Sequence, residues 1–341
     1  METKILTKND LDQAVSFIQA GELVAFPTET VYGLGADCEN EQAVAKVFAA
    51  KGRPSDNPLI VTVASLSQIE KYVGKLPANF KKLAEKFWPG PLTMILPILP
   101  DALSPLVTGG LKTCAFRMPD NALTLELIKK SNRALVGPSA NTSGKPSPTS
   151  AEHVYHDLKG KIAGILDDGP TTFGVESTVL DLSSAPLILR PGSITAEQLS
   201  DALGVDVSLD QHLVGKSETP KAPGMKYKHY SPNAEVVMMP VNAHVEVWQR
   251  ALLDFPGKKI GLLAPDHILQ KLVSEKFTDS FSLGEDHPAS FNHFLFAGLR
   301  ALDESCEVIL AATLSGEGAG AAYMNRLKKA SGNVWCQRNN S

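Results

Sequence analysis

Two cations, Lys51 and Arg53, stand one residue apart in KGRPSDNP (51–58), where a helical pattern gives way to a strand pattern. Arginine supplies a planar fork for two oxygens and lysine a compact point charge. Ser55 and Asn57 lie beside them, and Pro54 and Pro58 stiffen the segment, so the set suits a polyphosphate. Cations at a helix end also complement the helix dipole, and the pattern alone does not separate the two roles. A second segment, GPSANTSGKPSPT (137–149), is made of small residues and hydroxyls behind a buried strand pattern. It lacks G-x-x-x-x-G-K-[ST], and Pro146 stands where a hydroxyl would bind magnesium. That excludes a Walker ATPase and leaves either a phosphate cradle of another kind or a surface loop.

PTETVYGLGAD (27–37) also leaves a strand pattern. Gly33 and Gly35 would let backbone approach a ligand, and Thr28, Thr30 and Tyr32 offer hydroxyls. A tight turn into the next helix would use the same residues. Arg117, late in TCAFRMP, is costly on an apolar strand unless a carboxylate pairs with it, from the chain or from a substrate. Ser177 in ESTVLDL and Arg190 in LILRPGS make a further polar pair. His153 and His156 form an H-x-x-H pair without a third ligand, and no G-x-S-x-G elbow occurs.

The elements that must position these residues alternate. Helical spacing covers 10–20, 40–52, 65–73, 77–88 and 121–131, and strand patterns cover 22–28, 57–65, 92–98, 112–119 and 133–141. Three short strands follow between 163 and 193, which favours a mixed sheet over a fully parallel one. Periodicity fades across 207–233, a linker carrying Lys221, Lys226, Lys228, His229 and Tyr230. Beyond it, strands near 234–240, 259–265, 280–284 and 306–314 alternate with helices near 244–255, 267–277, 290–305 and 318–331. Four such alternations imply a small doubly wound, Rossmann-like domain.

With 341 residues the chain suits two domains, and its formal net charge of −4 excludes a strongly basic nucleic-acid coat. The charge is uneven: residues 51–150 carry 13 basic and 6 acidic groups, a net of +7. That window suits a small anionic ligand. Four scattered cysteines without a C-x-x-C pair fit a reducing compartment. The sequence shows neither a signal peptide nor a run long enough to span a membrane, so a cytoplasmic location is expected.

PTETVYGLG, KGRPSDNPL, SANTSG, ESTV and APGMKYKHYSP occur in the order seen in threonylcarbamoyl-AMP synthases of the YrdC type, and the chain resembles that family over essentially its whole length. The resemblance implies an α/β fold: a YrdC-like mixed twisted sheet with an open cleft in residues 1–206, a linker or lid in 207–233, and the Rossmann-like domain in 234–341. It implies that L-threonine, bicarbonate and ATP give threonylcarbamoyl-adenylate and pyrophosphate, with Mg2+ accompanying ATP. Further proteins would then pass the threonylcarbamoyl group to tRNA, which this chain itself would contact weakly if at all.

Carried over by motif, Lys51 and Arg53 would act on the phosphates and bicarbonate. Asn57, Thr113, Ser139, Asn141, Ser147, Arg190 and Tyr230 would complete the ATP site. Thr30, Thr62, Arg117, Gly137 and Ser177 would hold threonine, with Arg117 on its carboxylate. Thr62 departs from the family, whose members often carry histidine there, so imidazole chemistry is not expected at that position. Two rival readings are a carbamoyltransferase that activates carbamoyl phosphate and a non-catalytic RNA-binding protein. Neither finds support in flanking zinc-finger segments or stacking aromatics, the latter being only 6% of the chain.

Overall fold

A computed structural model describes residues 2–210 and 229–336, which divide into two compact units. The first comprises 2–143, 147–172 and 176–210, and the second 144–146, 173–175 and 229–336. The expected lid, with Lys221, Lys226 and Lys228, falls largely outside the described residues.

The first unit is built on an eleven-stranded mixed sheet. In chain order the strands are β1 (Lys4–Leu6), β2 (Val24–Phe26), β3 (Gly33–Asp37), β4 (Ile60–Thr62), β5 (Leu92–Pro97), β6 (Thr113–Arg117), β7 (Leu135–Val136), β8 (Gly164–Leu166), β9 (Thr178–Asp181), β10 (Leu187–Arg190) and β11 (Ser208–Leu209). Their spatial order is β1-β8-β2-β3-β7-β4-β6-β5-β9-β10-β11. Parallel pairs such as β4–β6 and β5–β9 alternate with antiparallel ones such as β5–β6 and β9–β10. The helices of this unit are α1 (Leu11–Gln19), α2 (Glu41–Lys51), α3 (Leu66–Val73), α4 (Ala78–Phe87), α5 (Pro105–Thr108), α6 (Ala122–Ser131), α7 (Ala151–Leu158) and α8 (Ala196–Leu203).

Side chains alternate across a strand, so each strand sorts its residues between two faces. Val61, Met94, Cys114, Phe116, Val136 and Leu180 point into the main core with Val44, Val47, Ile69, Phe80 and Leu83 from α2, α3 and α4. On the opposite face, α1 and α6 cover the β8–β2–β7 half through Ile18, Leu123, Leu127, Val24, Phe26 and Leu135. Its other half carries only a small apolar cluster, Ile60, Ile95, Ala115 and Val179. The same alternation places Thr62, Thr93, Thr113 and Arg117 on this less covered half.

The segment 27–37, expected as a ligand-edge loop, instead ends in β3, which pairs antiparallel with β2. Gly33 and Gly35 serve packing. A Cβ on Gly33 would lie 2.6 Å from the Phe26 ring, and one on Gly35 would lie 2.8 Å from the Val24 carbonyl oxygen. Several strands are shorter than their sequence patterns. Pro27, Pro58 and Pro138, lacking an N–H, stand just outside β2, β4 and β7. Ser208–Leu209, expected as the start of the linker, is an edge strand paired parallel with β10.

The second unit has a four-stranded, all-parallel sheet in the order β12-β15-β13-β14. Its strands are β12 (Glu235–Met238), β13 (Ile260–Ala264), β14 (Asp279–Ser282) and β15 (Val308–Ala311). Its helices are α9 (Val245–Leu253), α10 (Asp266–Lys271), α11 (Pro288–Asp303) and α12 (Ala321–Ser331). Right-handed crossovers place α9 and α10 on one face and α11 on the other. The unit is therefore doubly wound, as the pattern implied.

Candidate active site

Arg117 closes β6 and is buried, 8% exposed. Its Nη2 donates to Glu29 Oε2 at 2.7 Å and its Nε to the Gly90 carbonyl at 3.4 Å. The partner demanded by a buried guanidinium thus comes from the chain, across 88 residues of sequence. Nη1 makes no hydrogen bond among the described residues, and neither does Glu29 Oε1, which is buried. Glu29 is held between two threonines. Thr28 Oγ1 lies 2.9 Å from Thr30 Oγ1 and donates to the Val31 carbonyl, closing a local turn.

Thr62 is in register with Arg117 on the neighbouring parallel strand. Gly137 lies against it, since a Cβ there would come within 2.5 Å of Thr62 Oγ1 and 2.9 Å of the Phe26 ring. Ser177 sits where β9 begins. Its hydroxyl is 2.8 Å from Thr93 Oγ1, and Arg190 donates to both its hydroxyl and its carbonyl, at 3.3 and 3.2 Å. A register shift between Ile188 and Arg190 marks a bulge, the kind of irregularity that re-aims a side chain. The adjacent Glu176, also buried, accepts a hydrogen bond from Ser147.

The other cations gather where β4 begins. Lys51 ends α2 and is only 3% exposed, its ammonium donating to the Ser139 and Asn141 carbonyls. This ties the 137–149 loop to the helix, a bond reinforced by Ser143 N–H donating to the Lys51 carbonyl at 2.8 Å. Arg53 Nη2 donates to the Asn57 and Pro58 carbonyls, folding its own loop. Asn57 is 2% exposed, and its Oδ1 has no hydrogen-bond partner among the described residues. Thr113 opens β6 and is therefore about 13 Å from Arg117, at about 3.3 Å per residue.

The structure thus joins Lys51 with Ser139 and Asn141, Arg53 with Asn57, Thr62 with Gly137, Ser177 with Arg190 and Thr93, and Ser147 with Glu176 next to Ser177 in the chain. Tyr230 belongs to the second unit, where its ring packs on Phe296 at 5.2 Å. Glu29, Thr93 and Glu176 were not singled out from sequence. Two of them stand inside PTETVYG and ESTV, next to residues that were. The demand of Arg117 for a carboxylate signals that such a partner exists without saying which residue it is.

Burial raises the Tyr32 phenol well above its ordinary range, and its hydroxyl donates to the Gly169 carbonyl at 2.7 Å. It is a structural clasp between two loops. His153 and His156 also have local partners, at Thr149 and Asp157. Among the described residues no group of three or more His, Cys, Asp or Glu is arranged to hold a metal ion.

Residues 16–192 match the profile of the Sua5, YciO and YrdC family, described as "Telomere recombination". Residues 194–332 match that described as "Threonylcarbamoyl-AMP synthase, C-terminal domain". The chain is 46% identical over 336 residues to the threonylcarbamoyl-AMP synthase of Bacillus subtilis, covering 97% of this chain and 96% of the relative. It belongs to the Sua5/YrdC family of threonylcarbamoyl-AMP synthases.

A second member, from Pyrococcus abyssi, is 45% identical over 326 residues, 94% of this chain and 93% of the relative. The crystal structure of P. abyssi Sua5 complexed with L-threonine superposes with a TM-score of 0.89 at 42% identity, covering 99% of this chain and 100% of that one. The family likeness extends through both units.

Proposed function

We propose that this chain synthesises L-threonylcarbamoyl-adenylate from L-threonine, bicarbonate and ATP, releasing pyrophosphate, for threonylcarbamoyladenosine formation in tRNA. The observation that carries the site assignment is a pair of buried acceptors, Glu29 Oε1 and Asn57 Oδ1, without hydrogen-bond partners among the described residues. A buried polar atom left unpaired is costly, so each invites a ligand donor. Asn57 precedes β4, and Glu29 joins Arg117 at the far end of β6.

In this reading threonine lies at the Arg117 end. Its carboxylate takes the remaining guanidinium donor, while Thr30, Thr62, Gly137 and Ser177 shape the pocket and Glu29 Oε1 accepts from its polar groups. ATP lies at the Asn57 end, bounded by Thr113, Ser139 and Asn141, and Ser147 and Arg190 approach it from the Ser177 side, where it meets threonine. Ile60, Ile95, Ala115 and Val179 give an apolar floor between the two.

The amine of threonine and bicarbonate form a carbamate with loss of water. A carbamate oxygen attacks the α-phosphorus of ATP, the bond to the β-phosphate oxygen breaks, and pyrophosphate leaves. No side-chain nucleophile is required. Lys51 and Arg53 supply positive charge to the phosphates as negative charge develops, and close positioning supplies the rest. Both carboxylates of the site already have partners, Arg117 and Ser147, so Mg2+ enters as part of Mg–ATP. No step is assigned to it.

No helix among the described residues is long and apolar enough to cross a membrane, and none of the four cysteines is in a disulfide. A cytoplasmic location, where further proteins would consume the adenylate, is part of the same proposal. The test is pyrophosphate release with each substrate omitted in turn. The reading expects turnover only with threonine, bicarbonate and ATP together, lost in Lys51→Ala and Arg53→Ala. Turnover driven by carbamoyl phosphate, or full activity in both variants, would contradict it.

A further inference from the structure

The second unit holds a cleft that this reaction does not use. In the sheet order β12-β15-β13-β14, the chain leaving β12 and that leaving β13 run to α9 and α10 on one face. The chain leaving β15 runs to α12, which packs on β12 and against α11, the helix of the opposite face. Flanking segments that depart to opposite faces open a crevice at the carboxyl edge of a parallel sheet, the place where such sheets take ligands. A cleft of about 330 Å³ lies there, lined by Pro240, Pro265 and Ala312 just past the ends of β12, β13 and β15. That volume falls within the range of small-molecule sites, about 300–1,000 Å³.

Its chemistry is two-sided. Pro240, Ala243 and Val245 give it a half-buried apolar side, backed by the buried rings of Trp248 and Phe291. Three groups that can carry positive charge, His244, His267 and Lys271, stand on the rim and are exposed. Asp286 and Glu246 add carboxylates to the same rim. α9 begins here with His244 at its cap and no side chain bonded to its first-turn N–H groups.

The cleft is also braced. Thr313 donates to the Met239 carbonyl at 2.8 Å, joining the exits of β12 and β15. Tyr323 donates to the Ala312 carbonyl at 2.7 Å and packs edge-on against Phe291 at 5.2 Å. Such bracing favours a site formed before its ligand arrives.

We propose that this cleft binds a nucleoside monophosphate. The base lies over Pro240, Ala243 and Val245, the accessible apolar lining. The phosphate meets His244, His267, Lys271 and the start of α9, and Asp286 accepts from ribose hydroxyls or an exocyclic amine. The site is independent of the synthase reading, because none of its residues serves in the first unit.

AMP is the probe, and calorimetry on the full chain is the measurement. The Lys51→Ala/Arg53→Ala double variant silences the phosphate contacts of the first unit, and one AMP per chain is still expected to bind. Adding Lys271→Glu and His267→Glu to that background should weaken AMP at least tenfold, with an unchanged melting temperature because both side chains are exposed. Lys271→Glu alone should leave pyrophosphate release within twofold. Adenosine and inorganic phosphate should each bind more weakly than AMP. Absence of AMP binding in the double variant, or unchanged affinity after charge reversal, would overturn the proposal. So would phosphate binding as tightly as AMP, or loss of turnover in Lys271→Glu.

Discussion

The two sheets of this molecule offer ligands different surfaces. The second is parallel throughout and flanked by helices on both faces, so only the carboxyl edge of its strands is left to bind. The first is mixed. α1 and α6 cover one half of one of its faces, and across β4, β6, β5 and β9 the same face carries Thr62, Arg117, Thr113 and Thr93 around four apolar residues. Ligand chemistry can therefore be written along a strand, at every second residue, instead of in the loops beyond it. A strand such as TCAFR then serves two purposes at once, with Cys114 and Phe116 in the core and Thr113, Ala115 and Arg117 on the half-covered face proposed to bind substrate.

The strongest way to break this contrast is to remove the charge that the face must carry. Arg117→Ala leaves Glu29 buried without its partner, which costs about 3–5 kcal/mol of stability. Thermal unfolding of that variant should fall well below wild type, and turnover should be lost even at temperatures where it remains folded. An unchanged melting temperature would show that the pair is dispensable. A smaller effect is expected from Gly137→Ala, whose Cβ would press on Thr62 Oγ1 at 2.5 Å and on the Phe26 ring. Overpacking of this kind costs about 1–3 kcal/mol. It should raise the KM for threonine while leaving AMP binding to the second unit unchanged, and an equal shift in both would undo the separation.

The smallest perturbation is chemical. Burial pushes the Cys38 thiol up to about 12, and burial pushes Cys114 higher still. At pH 8 iodoacetamide should modify the half-buried Cys336 of the second unit while both thiols of the first remain unmodified until denaturant is added. Early labelling of Cys38 or Cys114 would mean that the core behind the site face opens readily.

What could be read from sequence follows the range of the interactions. Alternation in TCAFRMP and the cost of a lone arginine are local properties, so the face of Arg117 and its need for a carboxylate were legible. The identity of Glu29 was not, because 88 residues separate the pair. Gly33 and Gly35 suggest turns in place of β3, and only the paired strand, through the Phe26 ring and the Val24 carbonyl, explains why they must be small. The helix α8 has only eight residues to show a period, although its capping box, Thr195 with Gln198, is written in the chain. The all-parallel second sheet was legible because each of its strands is followed by a helix of clear periodicity.

The central claim is that one half-covered sheet face holds both substrates, at opposite ends of β4 and β6. Steady-state pyrophosphate release by Thr62→Val and Thr113→Val tests it most directly. Each variant loses one hydroxyl, worth about 1 kcal/mol or somewhat more when its partner is left unpaired. Thr62→Val should raise the KM for threonine by roughly tenfold with the KM for ATP within twofold, and Thr113→Val should do the reverse. Both constants moving together in either variant, or neither moving in both, would contradict the account.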